Sequence, residues 1–336
     1  MERSLNTDAA TFTGLVDLAA ARIGGVAVYA TDEFFAEKEN LLKPGRGIYV
    51  PDKYTDRGKW MDGWETRRKR VPGHDYCIVQ LGAPGEIHGV DIDTNHFLGN
   101  HPPYASLDAV CCDDKLSPDD VQNREWTEIL PKVPLKQGCQ NIFAVNSGER
   151  WTHVRLNIYP DGGVARLKIY GVVRKRWDLQ SGEADLAAIE NGGLVVAASD
   201  MFFGNKDNMI FPGRAADMGD GWETKRRRER GHDWAIVQLG HSGIVNKIEI
   251  DTNHYKGNFP DSCSVEGCLA SEKRIDGLNH TEFEWSEVLS QTKLKAHHRH
   301  YFSDEIVGRG PWSHLRLNIF PDGGISRLRV WGALVQ

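Results

Sequence analysis

The sequence predicts an all-β protein of two tandem β-sandwich domains, on three observations. The chain duplicates itself over nearly its whole 336 residues, its apolar runs are short and several alternate, and helical periodicity is almost absent.

The duplication is collinear. Asp62-Gly63-Trp64-Glu65-Thr66-Arg67-Arg68 returns 158 positions later as Asp220-Gly221-Trp222-Glu223-Thr224-Lys225-Arg226, and Gly73-His74-Asp75 returns as Gly231-His232-Asp233. At the same displacement Asp93-Thr94-Asn95-His96 recurs as Asp251-Thr252-Asn253-His254, and Gly99-Asn100 as Gly257-Asn258. Farther on the shift is 161, where Trp151-Thr152-His153-Val154-Arg155-Leu156-Asn157-Ile158 matches Trp312-Ser313-His314-Leu315-Arg316-Leu317-Asn318-Ile319 and both copies run on into Pro-Asp-Gly-Gly. Near the beginning, Asp17-Leu18-Ala19-Ala20 matches Asp185-Leu186-Ala187-Ala188 at a shift of 168, so the first copy holds about ten extra residues. They fall within 47–60, a stretch rich in aromatic, glycine and charged residues that reads as a loop. The polar stretch 174–183 carries no core pattern, which sets the domains at 1–174 and 175–336.

Within a copy, residues 77–81, 87–93, 106–111 and 164–170 are strand-like runs bounded by Gly, Pro and Asp/Asn turns. Such spacing over about 160 residues points to an antiparallel sandwich. Only residues 15–22 and the counterpart near Leu186 read as helical, each ending at Gly-Gly. No G-x-G-x-x-G opens a helix and no nucleophile elbow occurs, which excludes Rossmann and α/β-hydrolase readings.

The 47 acidic against 41 basic residues leave a formal charge of −6, which argues against non-specific binding to nucleic acid or an anionic membrane. The beginning of the chain has no apolar core typical of a secretory signal, and nothing approaches the roughly 20 apolar residues of a membrane span, so a cytoplasmic protein is expected. The six cysteines form neither a C-x-x-C pair nor a disulfide framework. Cys77 and Cys111 lie in apolar runs and are expected to be small buried hydrophobes.

Three clusters carry candidate chemistry. In 151–159, strand periodicity puts Val154, Leu156 and Ile158 on one face and His153, Arg155 and Asn157 on the other. The apolar positions drift between copies while His, Arg and Asn stay, which points to a specific partner for the polar face, a structural edge strand being the alternative. The run from Asp62 to Arg70 leads through Gly73-His74-Asp75 into a strand, concentrating Glu65, Arg67, Arg68, His74 and Asp75 at its entrance. Arginine's fork suits a carboxylate or ureido oxygen, and a histidine beside an aspartate can move protons near neutral pH. The alternative is a solvated charged face. Asn95, His96 and Asn100 lie where a strand passes into a loop and suit a ligand dense in C=O and N–H, with Asx-turn capping by Asp93 and Asn95 as the alternative. No histidine falls at H-E-x-x-H or H-x-x-x-H spacing, so no cofactor is expected, and a divalent metal would need ligands converging from separate loops.

The D-G-W-E-T-x-R-x-R run, G-H-D, D-T-N-H-F-x-G-N-x-P and the W-T-H-V-R-L-N-I-Y-P-D-G-G strand together resemble the allantoicase family, in both copies and over nearly the whole chain. The resemblance implies a pair of jelly-roll domains similar to galactose-binding folds and a homo-oligomeric enzyme. It also implies hydrolysis of allantoate to ureidoglycolate and urea in purine degradation, with no urea released from allantoin. That chemistry needs an acid for the departing nitrogen, a base for water and a cation for the carboxylate. His74 with Asp75, or His96, and Glu65 are the catalytic candidates. Arg67, Arg68 or Arg155 would clamp the carboxylate, Asn95 and Asn100 would bond ureido groups, and His153 and Asn157 would complete the binding face. The second-copy equivalents are Glu223, Arg226, His232, Asp233, Asn253, His254, His314 and Arg316. Two alternatives stay open: a non-catalytic carbohydrate- or small-ligand-binding jelly roll, and a structural repeat protein. The second copy departs from the first at Lys225 for Arg67 and Phe259 for His101, and it lacks the insertion with Tyr49, Tyr54 and Trp60. The first copy is therefore expected to supply more of the catalytic groups, the insertion covering the site.

Overall fold

A computed structural model describes residues 12–112, 117–177, 182–270 and 280–335. The chain divides into two compact units, Met1–Lys175 and Arg176–Gln336, each all-β.

In the first unit the strands are β1 (Val16–Asp17), β2 (Val26–Ala30), β3 (Tyr54–Thr55), β4 (Gly58–Lys59), β5 (Trp64–Glu65), β6 (Asp75–Asp93), β7 (Tyr104–Val110), β8 (Thr127–Pro134), β9 (Gln140–Ala144), β10 (Arg150–Tyr159), β11 (Gly163–Val164) and β12 (Arg166–Val173). The sequence shows β6 as two apolar runs, and the fold joins them into one strand of 19 residues. Its first half pairs with β10 and β2, its second half with β12 and β9, all antiparallel. A strand that changes partners along its length serves both sheets of a sandwich and turns the corner between them. Fully buried Val79, Leu107, Leu156 and Ile158 fill the space between. The second unit repeats the plan: Asp233–Asp251 pairs first with Trp312–Phe320 and Leu194–Ala198, then with Arg327–Leu334 and Arg299–Phe302. The protein is thus a tandem pair of jelly-roll sandwiches.

Three local expectations are corrected. Residues 15–22 are not a helix: β1 is followed by one 3-10 turn, Ala21–Ile23, ended by Gly24 at φ +101°, and the second unit does the same with Ile189–Asn191 and Gly192. Eight residues nucleate a helix poorly, whereas Leu18 is fully buried and bonds the sheet through its amide to Ile169 O at 2.7 Å. Cys111 lies one residue past the end of β7 and is exposed, with Arg150 Nη1 donating to its sulfur at 3.2 Å. The insertion, read as a loop, contains the small hairpin β3–β4.

Candidate active site

Glu65 is fixed by its neighbours in the motif. Trp64 before it is fully buried, with Nε1 donating to Asp32 O at 2.8 Å. Thr66 after it donates its amide to Gly162 O and accepts from Gly162 N, both at 3.1 Å. The Glu65 backbone is held on one edge by Ala36 and on the other by Gly163. Glycine is required at 163 because a Cβ there would come within 2.0 Å of the Phe97 ring. Alternation along this short strand sends Trp64 into the core and Glu65 outward.

The Glu65 carboxyl stands where two cavities adjoin. One, about 520 Å³, is lined by Tyr49, Lys59, His96 and Asn100 among others; the second, about 1040 Å³, by Arg67, Arg68, Asn100, His101 and Asp161 among others. Phe35, Glu65, Gly99 and Asn100 belong to both. Burial pushes the Glu65 carboxyl above its ordinary value, opposed by the Asn100 amide, which donates to Oε1 at 2.7 Å. A carboxyl that holds its proton longer suits an acid working near neutral pH.

The two arginines differ in what they are free to do. Arg67 Nε donates to Asp32 Oδ2 at 2.6 Å, and the contact, with the backbone amides of Arg67 and Phe34, outweighs burial and keeps Asp32 below the usual carboxylate range. Arg68 is exposed in the larger cavity with no hydrogen-bond or ion-pair partner among the described residues. A guanidinium so placed can take a carboxylate in two parallel bonds. His96 sits at φ +68° with its ring 5.7 Å from Tyr49. Asn95 is used elsewhere, its Nδ2 donating to Gly47 O at 2.8 Å while its backbone N–H donates to Asp93 Oδ1 at 2.9 Å, which is the Asx turn weighed above.

The remaining sequence candidates are taken up by the fold's own bonding. Asp75 is 2% exposed and accepts from Thr31 Oγ1 at 2.9 Å and Lys69 Nζ at 2.6 Å. His74 turns to Asn157, with Nε2 3.3 Å from Oδ1, and packs tilted against the Tyr159 ring with centroids 4.6 Å apart. The expected His74–Asp75 pair therefore does not form, since consecutive side chains entering a strand point to opposite faces. Arg155 donates to Asp108 Oδ2 through Nε at 2.9 Å and Nη2 at 2.7 Å, under the Trp126 ring. Asn157 Nδ2 bonds Ser106 and Asp108. His153, buried, pairs with Thr152 Oγ1 at 2.9 Å, and burial lowers its pKa. The polar face of β10 thus closes on β7, its neighbour in the sheet.

The second unit matches this with substitutions. Asn258 donates to Glu223 at 2.5 Å, and Arg226 lines a cavity of about 440 Å³ beside Phe259. Asp233 is buried against Arg227 and Ser199, and His232 packs tilted against Phe320. Asn253 is buried, and His254 Nε2 lies 3.0 Å from Ala215 O. Arg316 is paired with Glu266, and burial drives His314 down to about 4.

Among the described residues no group of three or more His, Cys, Asp and Glu side chains is placed to hold a metal, and no helix is long and apolar enough to cross a membrane. Sequence reasoning passed over Asp32, Phe34, Phe35 and Lys59. The first three have a signal, because Asp200, Phe202 and Phe203 repeat them at the 168 shift. Lys59 lies in the unrepeated insertion and has none.

The family description "Allantoicase repeat" matches residues 16–174 and again 184–335. The chain is 50% identical to the allantoicase of Dictyostelium discoideum over 94% of this chain and 86% of that one. It is 48% identical to a probable allantoicase of Pseudomonas paraeruginosa over 98% of each. Its fold is similar to the crystal structure of the Saccharomyces cerevisiae allantoicase, at 37% identity and a TM-score of 0.79, over 97% of this chain and 98% of that one. With the family pattern found in both halves and relatives matched along almost the full length, this chain belongs to the allantoicase family.

Proposed function

We propose that the Glu65 groove of the first repeat is where this chain converts allantoate and water to ureidoglycolate and urea, as a hydrolase of purine degradation. The observation that carries the site is one raised carboxyl at the junction of two cavities, with Arg68, unpartnered among the described residues, on one side and His96 on the other.

Arg68 holds the carboxylate. Glu65 gives its proton to the ureido nitrogen as the carbon–nitrogen bond breaks, and the lone pair of the remaining ureido nitrogen fills the gap at carbon. Water adds there, its proton passing to His96, and urea leaves neutral. Exchange with solvent then returns both groups to their starting states. No metal is assigned a part. Homo-oligomeric assembly is supported by the exposed run Met201, Phe202 and Phe203, at 52, 71 and 63% exposure. A cytoplasmic setting is supported by a cysteine spacing that offers neither a C-x-x-C pair nor a disulfide framework.

The test is urea release by the purified protein. One urea per allantoate, none from allantoin, unchanged rates after chelator treatment and loss of turnover in Glu65→Gln are expected. Full activity in Glu65→Gln would refute the site, and a chelator-sensitive rate restored by a divalent ion would refute the metal-free assignment. Light scattering that finds a monomer would refute the assembly.

A further inference from the structure

The insertion at 47–60 is tied down at both ends across the smaller cavity. At one end Gly47 O accepts from Asn95 Nδ2 at 2.8 Å and Ile48 N donates to Asp62 Oδ2 at 2.9 Å. At the other, Arg57 Nη1 donates to Phe34 O at 3.0 Å and its guanidinium lies over the Phe34 ring. Between these anchors the β3–β4 hairpin brings Lys59 back onto Tyr49: the ammonium donates to the phenol oxygen and stands 4.5 Å from the ring centroid. Tyr49 in turn faces His96, and Lys59, Tyr49, His96 and Glu65 line one cavity. The other aromatics of the insertion have different work. Trp60 packs under Lys53 with Nζ 3.7 Å from its ring, and Tyr54 is 66% exposed.

A lysine whose hydrogen-bond partner is a phenol keeps its full charge and two further donor hydrogens. The Tyr49 contact also removes part of the freedom a four-carbon stem would otherwise lose on binding. Lys59 and Arg68 therefore line different cavities that meet at Glu65, and these two cations are chemically unlike. A guanidinium matches the two oxygens of a carboxylate, whereas an ammonium is a point donor suited to a single oxygen. Allantoate presents both kinds of acceptor, one carboxylate and the carbonyl oxygens of two ureido arms.

We propose that Lys59, oriented by Tyr49, is a substrate-binding residue that donates to a ureido carbonyl oxygen in the smaller cavity while Arg68 takes the carboxylate in the larger one. The inference rests on the Glu65 groove being the allantoate site. It makes the insertion a specificity element for the ureido arm. In the second repeat the shorter connection sets Met218 against the matching asparagine, with its Sδ 3.3 Å from Asn258 Nδ2 and its carbonyl accepting from Tyr255 at 2.8 Å.

The experiment compares Lys59→Met, Tyr49→Phe and Lys53→Met in the intact protein. Methionine keeps the stem of Lys59 on the Tyr49 ring and removes its donors. Lys59→Met is expected to lower kcat/KM for allantoate by tenfold or more, Tyr49→Phe by a smaller factor, and Lys53→Met by less than twofold. Competitive inhibition separates the acceptors. Lys59→Met should weaken inhibition by N-carbamoylglycine, which has a ureido group and a carboxylate, and leave inhibition by glycolate, which has only the carboxylate, unchanged. A Lys59→Met rate within twofold of the parent protein, or an equal loss in Lys53→Met, overturns the proposal. Loss of glycolate inhibition overturns it too, by putting the carboxylate at Lys59. Should Glu65→Gln be inactive while Lys59→Met is unaffected, the site stands and only the role of Lys59 falls; should the parent protein release no urea, both fall.

Discussion

The two repeats share their scaffold and differ around its openings. Both bury a tryptophan that bonds the carbonyl of an aspartate, Trp64 to Asp32 and Trp222 to Asp200, and both set a glutamate outward against an asparagine amide. Both lock an arginine of the polar strand face onto an acid, Arg155 to Asp108 and Arg316 to Glu266. The openings diverge. The first repeat has an open cavity beside Glu65 roofed by the Tyr49–Lys59 pair, while the second has Met218 against Asn258. In the first, His74 reaches Asn157; in the second, Asn318 Oδ1 is buried without a partner among the described residues. His101, with Nδ1 buried and unpartnered among the described residues, lines the first groove, and Phe259 lines the second. Glu65, Arg68, His96 and Asn100 recur as Glu223, Arg226, His254 and Asn258, so the copies part in what surrounds these groups, and a difference in activity is expected from those surroundings.

The largest effect should come from the matched carboxyls. Glu65→Gln is expected to lower kcat by about 10²–10⁴, the usual worth of a positioned acid, with Glu223→Gln within threefold of the parent; equal losses would make the repeats catalytic partners. Next, Arg68→Met should cost roughly 10–100-fold in kcat/KM, mainly through KM, as a charge-assisted bond to the substrate is lost. Arg226→Met should cost little, and steady-state kinetics on allantoate separates the two.

Stability should be symmetric where activity is not. Arg155→Met and Arg316→Met each leave a partly buried acid unpaired and should cost about 2 kcal/mol, read as a Tm lower by several degrees. A collapse of activity at unchanged Tm in Arg155→Met would instead return Arg155 to the substrate. The smallest expected effect is on pH. Burial raises Asp17 and Asp185 to about 6 in the folded chain, above the ordinary carboxylate value of 3.8. The folded state then binds more protons than the unfolded one between those values, so this contribution is fully present below about 4 and lost as pH rises through about 6. Asp17→Asn and Asp185→Asn should each flatten the stability–pH curve over that window, and denaturation at several pH values checks it; a curve unchanged in either variant would show that carboxyl ionised when folded.

Much of the fold was legible because repetition and alternation are local signals. The 158 and 161 shifts gave the copies, and the placement of Val154, Leu156 and Ile158 in the core followed from a two-residue period. The helical reading of 15–22 failed because so short a run takes its backbone partners from a distant strand, here Ile169, and no local pattern announces that. Among site residues, Glu65, Arg68, His96 and Asn100 were named from their motifs and do line the two cavities. Arg155, Asn157 and Asp75 were named on the same grounds, yet their partners Asp108, Ser106, Thr31 and Lys69 occupy them. A motif shows which groups recur, and a group's availability depends on what the sheet lays against it.

The sequence by itself determined the duplication, the β class, the family and the short list of chemically able side chains, because each is written in periodicity or residue identity along the chain. Only the tertiary structure decided which of those side chains are free. Arg68 and Arg155 are equally basic in sequence, and one faces a cavity while the other is closed on Asp108. Lys59 lies in a stretch without periodicity, and it shares a cavity with His96 and Glu65 only because a hairpin anchored at Asn95 and Phe34 folds back there. Pairing across strands is a contact between residues tens of positions apart, and its energy is set by three-dimensional proximity that no local pattern encodes.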